Sequence, residues 1–195
     1  DGSFELWDGM HRISIKRALK LSIEITIIEE AENWQMIKKG LLNLHNGQKY
    51  LYQSIEHPDF FDWTVYNNNI TKDFILSELV SHNVLDIGAC HGLTLFRLKY
   101  SNRITHGIGI ESDPDRFNIA KIIFDKVGLD LFRDINVFLN QNKYIFNSIL
   151  LLSVIHHFIR QLGEEKTKNI LSDLAFITHK IIYECPKPGE PIIQE

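Results

Sequence analysis

The chain has 195 residues, of which 44% are apolar and 24% charged, and a formal net charge of −4. That is the composition of an ordinary globular protein of one or two domains, and its mild acidity gives no overall electrostatic case for nucleic acid. The longest apolar run, SILLLSVI at 148–155, fits a buried strand and is too short to span a bilayer, so no membrane partner is expected. Two cysteines, Cys90 and Cys185, form no CxxC pair, and the acidic, mixed start lacks a signal-peptide pattern. A reduced, cytoplasmic setting follows as the expectation.

In chain order, residues 10–20 read as a helix and SIEITII at 22–28 alternates like a strand. In EEAENWQMIKKGLLNLH, Trp34, Ile37, Leu41 and Leu44 recur at helical spacing, and NGQ at 46–48 ends the helix. Residues 49–69 are aromatic-rich, with a His-Pro step and three consecutive asparagines, and read as an irregular connector or lid. A helix is expected from Thr71, where a hydroxyl can cap it. The rhythm then alternates. NVLDIG, THGIGIE at 105–111, NSILLLS at 147–153 and HKIIYEC at 179–185 read as strands, with LFRDI as a shorter one. GLTLFRLKY, DPDRFNIAKIIFDKVG and residues 164–178 read as helices between them. Such alternation predicts an α/β, Rossmann-like doubly wound, mostly parallel sheet with helices on both faces. Its strands are apolar on both sides, as buried parallel strands are.

The chemistry-bearing stretch is VLDIGACHG, 84–92. A first strand runs into a turn where Gly88 and Gly92 remove side chains, so that a ligand can approach the backbone. The helix that follows offers unpaired N–H groups and a positive dipole end. The second strand ends in Glu111, about 20 residues beyond the turn, which is the placement of a carboxylate that binds ribose hydroxyls. A dinucleotide fingerprint would put a glycine at position 90, where this chain has cysteine. Asp86, just before the turn, suits a cofactor with a cationic amino-acid end better than a pyrophosphate.

VLDIGACHG, GIGIES, RDI and LLLSVIHHF together resemble a class I S-adenosylmethionine-dependent methyltransferase over residues 70–186. The resemblance implies S-adenosylmethionine as cofactor. It implies that Asp86, Gly88, Ala89, Cys90 and Gly92 wrap the methionine part, that Glu111 holds the ribose, and that Asp134 with Ile135 beside it contacts the adenine. It implies further that Ser153, Val154 and His156 line the reaction site. The chain departs from the family where the fourth strand has FNSI, with Asn147 in place of the frequent Asp. It departs again where SVIHHF stands in place of the N/D-P-P-Y/F motif of amino-group base methylation. The family fold also carries two more strands after the fifth, so the expectation is a sheet without its last two strands, either because the chain is a fragment or because the fold itself is trimmed.

DGMHR at 8–12 opens a separate question. Cations at a helix N-terminus oppose the macrodipole, and a bound anion would reverse that effect. The segment resembles the end of a ParB/sulfiredoxin-type nucleotide-binding domain, which implies phosphate contacts from Asp8, Gly9, His11 and Arg12. The expected organisation is thus a partial segment of that type over 1–48 and a methyltransferase domain over 49–195, with the connector at 49–69.

His156 and His157 are catalytic candidates because a neutral imidazole takes a proton from a hydroxyl acceptor. One histidine capping the next segment and the other packing in the core is the alternative. Cys90 reads as a small turn residue rather than a nucleophile, and Asp134 equally as part of a plain loop. The nine histidines show no HxxxH spacing, so no metal site is expected. The methyl acceptor and the oligomeric state are not legible. Two other classes fit the same sheet: a nicotinamide- or flavin-type oxidoreductase, and a non-catalytic nucleoside-binding or interaction module.

Overall fold

The computed structural model describes residues 31–55, 57–67, 70–142 and 144–184. The helix and strand expected over 10–28, and the candidate phosphate ligands Asp8, Gly9, His11 and Arg12, lie outside the described residues. The chain divides into two compact units, with the division after Asn67.

In the first unit, α1 (Ala31–Leu44) buries Trp34, Ile37 and Leu41, the face that the i, i+3, i+7 spacing specifies. The stretch expected as an irregular connector holds two short strands, β1 (Tyr50–Gln53) and β2 (Thr64–Asn67), separated by a 3-10 turn at Pro58–Phe60. The strands pair in parallel, with Leu51 opposite Val65. Leu51, Ile55, Phe60 and Trp63 are buried. Phe60 meets Trp34 and Trp63 edge-on, at ring-centroid distances of 6.1 and 5.1 Å. Four-residue strands are too short to show a period, so the aromatic content masked them.

The second unit is a five-stranded parallel sheet. Its elements are α2 (Ile70–Leu79), β3 (His82–Ile87), α3 (Leu93–Tyr100), β4 (Ile104–Ile110), α4 (Pro114–Val127), β5 (Asp130–Phe132), α5 (Ile135–Gln141), β6 (Ser148–Leu152), α6 (Ile155–Leu162), α7 (Glu164–Phe176) and β7 (Ile181–Glu184). Strand order is β5-β4-β3-β6-β7. The chain moves one way from β3 to β5, then crosses back to place β6 on the other side of β3. Right-handed crossovers in opposite directions put helices on opposite faces. The reversal opens a crevice at the carboxyl ends of β3 and β6, where ligands bind in such sheets.

The core runs through the sheet. Leu85, Ile87, Ile108, Ile110, Phe138, Ile149 and Leu151 lie in one buried cluster, each such side chain stabilising by about 1.5–3 kcal/mol relative to exposure. Helix ends follow local chemistry. Asp113 caps α4, its carboxylate accepting from the N–H groups of Asp115 and Arg116, and Pro114 takes the first helical position. Gly128 ends the same helix at φ 66°, a left-handed C-terminal glycine. Two helices escaped the sequence reading. α5 has only seven residues, and α6 hides its Ile155, Phe158, Ile159 and Leu162 spacing behind the adjacent histidines.

Candidate functional site

The turn after β3 has three residues in the left-handed region, Gly88 (φ 76°), Cys90 (φ 55°) and Gly92 (φ 76°). Cysteine thus holds a conformation that favours glycine, at a cost of about 1–2 kcal/mol. The turn folds back over β4, with the N–H groups of Gly88 and Ala89 both donating to the Ile110 carbonyl at 2.8 and 2.9 Å. A Cβ on Gly92 would stand 2.3 Å from the Phe124 ring, and one on Gly88 would stand 2.9 Å from a Val154 methyl. Gly92 therefore serves close packing of α3 on α4. Gly88 is exposed between buried Ile87 and Ala89, which leaves its main chain open to a ligand.

Glu111 follows β4 and is 6% exposed. One carboxylate oxygen accepts from the Cys90 N–H at 2.8 Å; the other accepts from the Asp113 N–H at 2.8 Å. Its own N–H donates to the Phe132 carbonyl at 3.0 Å. The side chain thus ties the glycine turn to the start of α4, while the main chain of Glu111 ties to the end of β5. Burial raises its pKa, against the two N–H bonds and the Arg116 charge, which lower it. Each oxygen accepts one bond from these N–H groups and retains a second lone pair.

Asp86 is buried in β3, opposite Gly109 on one side and Leu150 on the other. Asp134 caps α5, accepting from the N–H groups of Asn136 and Val137 at 2.7 and 3.1 Å. Those bonds hold its carboxyl below the usual carboxylate range. Ile135 lies in the core cluster. Burial pushes the Cys90 thiol up to about 11, so it is protonated at neutral pH and poorly nucleophilic.

On the β6 side, Ser153 has φ 56°. Its hydroxyl donates to the Glu184 carboxylate at 2.8 Å. Val154 follows, buried, and α6 then presents His156 and His157 with ring centroids 4.1 Å apart. Both ring nitrogens of His156 are inaccessible and meet no hydrogen-bond partner among the described residues. The pKa of His157 is lowered by burial first, then by the charges of His156, Arg116 and Arg160. Both effects favour its neutral form.

Among the described residues, those singled out in the sequence thus fall at or just beyond the carboxyl ends of the strands. Cys90 and Glu111 touch, Gly88 meets Val154, and Asp134 sits two residues beyond the strand end that Glu111 bonds. Two residues went unnoticed. Arg116, in the first turn of α4, acts electrostatically on Glu111, Cys90 and His157; its place five residues after Glu111 was the available signal. Glu184, 31 residues from Ser153, left no signal in spacing. Among the described residues no group of three or more His, Cys, Asp or Glu could hold a metal ion. Nor is any helix there long and apolar enough to cross a membrane.

No protein-family model matches the chain. The O-antigen chain terminator bifunctional methyltransferase/kinase WbdD of Escherichia coli is 25% identical over 170 residues, which covers 79% of this chain and 23% of that protein. The chain thus spans less than a quarter of the length of this curated relative. A crystal structure of WbdD superposes with a TM-score of 0.64 at 22% identity, covering 77% of this chain and 37% of that one. The N-terminal domain of EvdMO1 with SAH bound gives a TM-score of 0.57 at 14% identity, over 80% of this chain and 65% of that one. SAM-bound CalS10 from Micromonospora echinaspora, an amino pentose methyltransferase, gives 0.51 at 12% identity, over 85% and 60%. The five-stranded parallel sheet, with its glycine turn and terminal Glu111, has the Rossmann-like fold of class I S-adenosylmethionine-dependent methyltransferases.

Proposed function

We propose that this chain binds S-adenosylmethionine at the carboxyl ends of β3 and β4 and is the methyl-transfer unit of an enzyme acting on an O, N or C acceptor. The observation that carries the reading is the Glu111 carboxylate, buried at the end of β4 and bonded to the N–H of Cys90 in the glycine turn. Its remaining lone pairs match a cis-diol, and the exposed main chain at Gly88 gives the ligand room. Asp86, buried in β3, is the acid that the resemblance assigns to the cationic amino-acid end, and Asp134 the one it assigns to the adenine. The names of the neighbours support the cofactor: EvdMO1 was solved with SAH and CalS10 with SAM.

The cofactor, when bound, supplies an electrophilic methyl group. The chain's own residues position it and the acceptor, which is where most of the rate in such a transfer originates. Neutral His157 receives the proton from an acceptor that carries one.

Calorimetric titration with S-adenosylmethionine, with NADH as control and Glu111→Ala beside the wild type, tests the reading. The expected result is binding of S-adenosylmethionine alone, weakened at least about tenfold in the variant, the equivalent of ~1.4 kcal/mol. No heat with S-adenosylmethionine from folded protein overturns it, and heat with NADH alone supports the oxidoreductase class.

A further inference from the structure

The β6–α6 turn carries both Val154, which closes on Gly88, and the two histidines, yet α6 lacks a capping side chain of its own. Val154 occupies the N-cap position with no side-chain hydrogen bond, where Ser, Thr, Asp or Asn would ordinarily satisfy a free N–H. The turn also contains a non-glycine residue at φ 56°, Ser153, a conformation that persists only when its surroundings hold it. What holds it comes from the end of β7. The Ser153 N–H donates to the Glu184 carbonyl at 3.2 Å, and the Ser153 hydroxyl donates to the Glu184 carboxylate at 2.8 Å. Both bonds come from one residue, so they restrain the serine's position and its rotation together.

From Ser153 the restraint passes in two directions through Val154. A Val154 methyl lies 2.9 Å from the place a Gly88 Cβ would occupy, so the valine packs directly on the glycine turn. The Val154 carbonyl accepts from the N–H groups of His157 and Phe158 at 3.0 and 3.3 Å, and so starts the turn of helix that bears the histidine pair. We propose that Glu184 is a positioning residue of the reaction site: by clamping Ser153 in its left-handed conformation it sets Val154 against Gly88 and fixes the His156–His157 pair at the head of α6. The inference rests on the proposed methyl-transfer site for the meaning of that position, but the clamp can be tested without it.

The test uses the full chain and two readouts: the NMR signals of the histidine imidazoles, and calorimetric titration with S-adenosylmethionine. His106, near the amino end of β4 with its Nε2 3.5 Å from Asp130, is the internal reference, remote along the strand from the clamp. Glu184→Ala is expected to shift the His156 and His157 signals, leave His106 in place, and weaken S-adenosylmethionine about fivefold, the size of one net hydrogen bond. Ser153→Ala should do the same from the other side of the bond, and it carries the test should Glu184→Ala not fold. Glu184→Gln keeps an oxygen that can accept from the serine hydroxyl and should restore both readouts to near wild type. Unmoved His156 and His157 signals in the folded alanine variants overturn the proposal. So does a Glu184→Gln variant as impaired as Glu184→Ala. A wild type that binds no S-adenosylmethionine, with imidazole signals that still move in Glu184→Ala, sinks the cofactor reading and leaves the clamp standing.

Discussion

The two sides of the crevice each use a glutamate, in opposite ways. On the β3–β4 side, Glu111 is buried and accepts from main-chain N–H groups, Cys90 and Asp113. On the β6–β7 side, Glu184 is partly exposed and accepts from a side-chain hydroxyl, Ser153. A main-chain donor is present whatever residue occupies the position, so the first arrangement needs only the glutamate and the right backbone. The second needs two particular side chains to meet from different strands. The β3–β4 side is therefore tied mainly through main-chain donors, and the β6–β7 side also needs a contact between two side chains.

Substitutions that break the backbone side should have the largest effects. Gly92→Ala places a methyl 2.3 Å from the Phe124 ring at φ 76°. Left-handed strain and overpacking together should cost about 2–5 kcal/mol, measured by urea unfolding, and a loss well under 1 kcal/mol would show that the helices are not closely packed there. Glu111→Ala strands the N–H groups of Cys90 and Asp113 and should cost about 1–3 kcal/mol, besides the weaker cofactor binding.

The ionisation of Glu111 sharpens the contrast. Its folded pKa is raised by burial, so the folded state holds the proton more tightly than the unfolded chain. That contribution to stability is fully present below the unfolded glutamate pKa of about 4.3 and is lost as pH rises through the folded value. Wild type should therefore lose stability relative to Glu111→Gln as pH climbs through that window; a flat difference contradicts the raised pKa. Affinity for a ribose diol should run the other way, increasing with pH, because the ionised carboxylate is the better acceptor.

Smaller effects follow. Asp113→Ala removes the α4 cap and should cost about 1 kcal/mol, read as a lower unfolding midpoint with an unchanged slope. Cys90→Gly relieves the left-handed strain at φ 55° while adding chain entropy to the unfolded state. It should fall within about 1 kcal/mol of wild type, on the stabilising side. With its pKa near 11, the Cys90 thiol should resist alkylation at neutral pH, checked by peptide mapping.

The alternation of apolar runs and helical patterns from residue 82 on, and the spacing of Gly88, Gly92 and Glu111, made the sheet and its turn legible. Both depend on local periodicity and on backbone demands that particular residue types reveal. The sequence also marked Cys90 as the place where a glycine is missing, and the structure shows that position in the conformation a glycine would take. Lost to the sequence were β1 and β2, too short for a period, and α6, whose apolar spacing was overlooked beside His156 and His157. Arg116 could have been found from its position after Glu111. Glu184 could not, because nothing in a chain says which two side chains 31 residues apart will meet.

The sequence by itself determined the parallel α/β architecture, the glycine turn and the carboxylate that ends β4, because these follow from periodicity along a single stretch of chain. Only the tertiary structure decided that Gly92 packs against Phe124 and that Ser153 is held by Glu184. It also decided that His156 keeps both ring nitrogens out of water. Each of these is a contact between segments brought together by strand order, and strand order is set by the packing of the whole sheet.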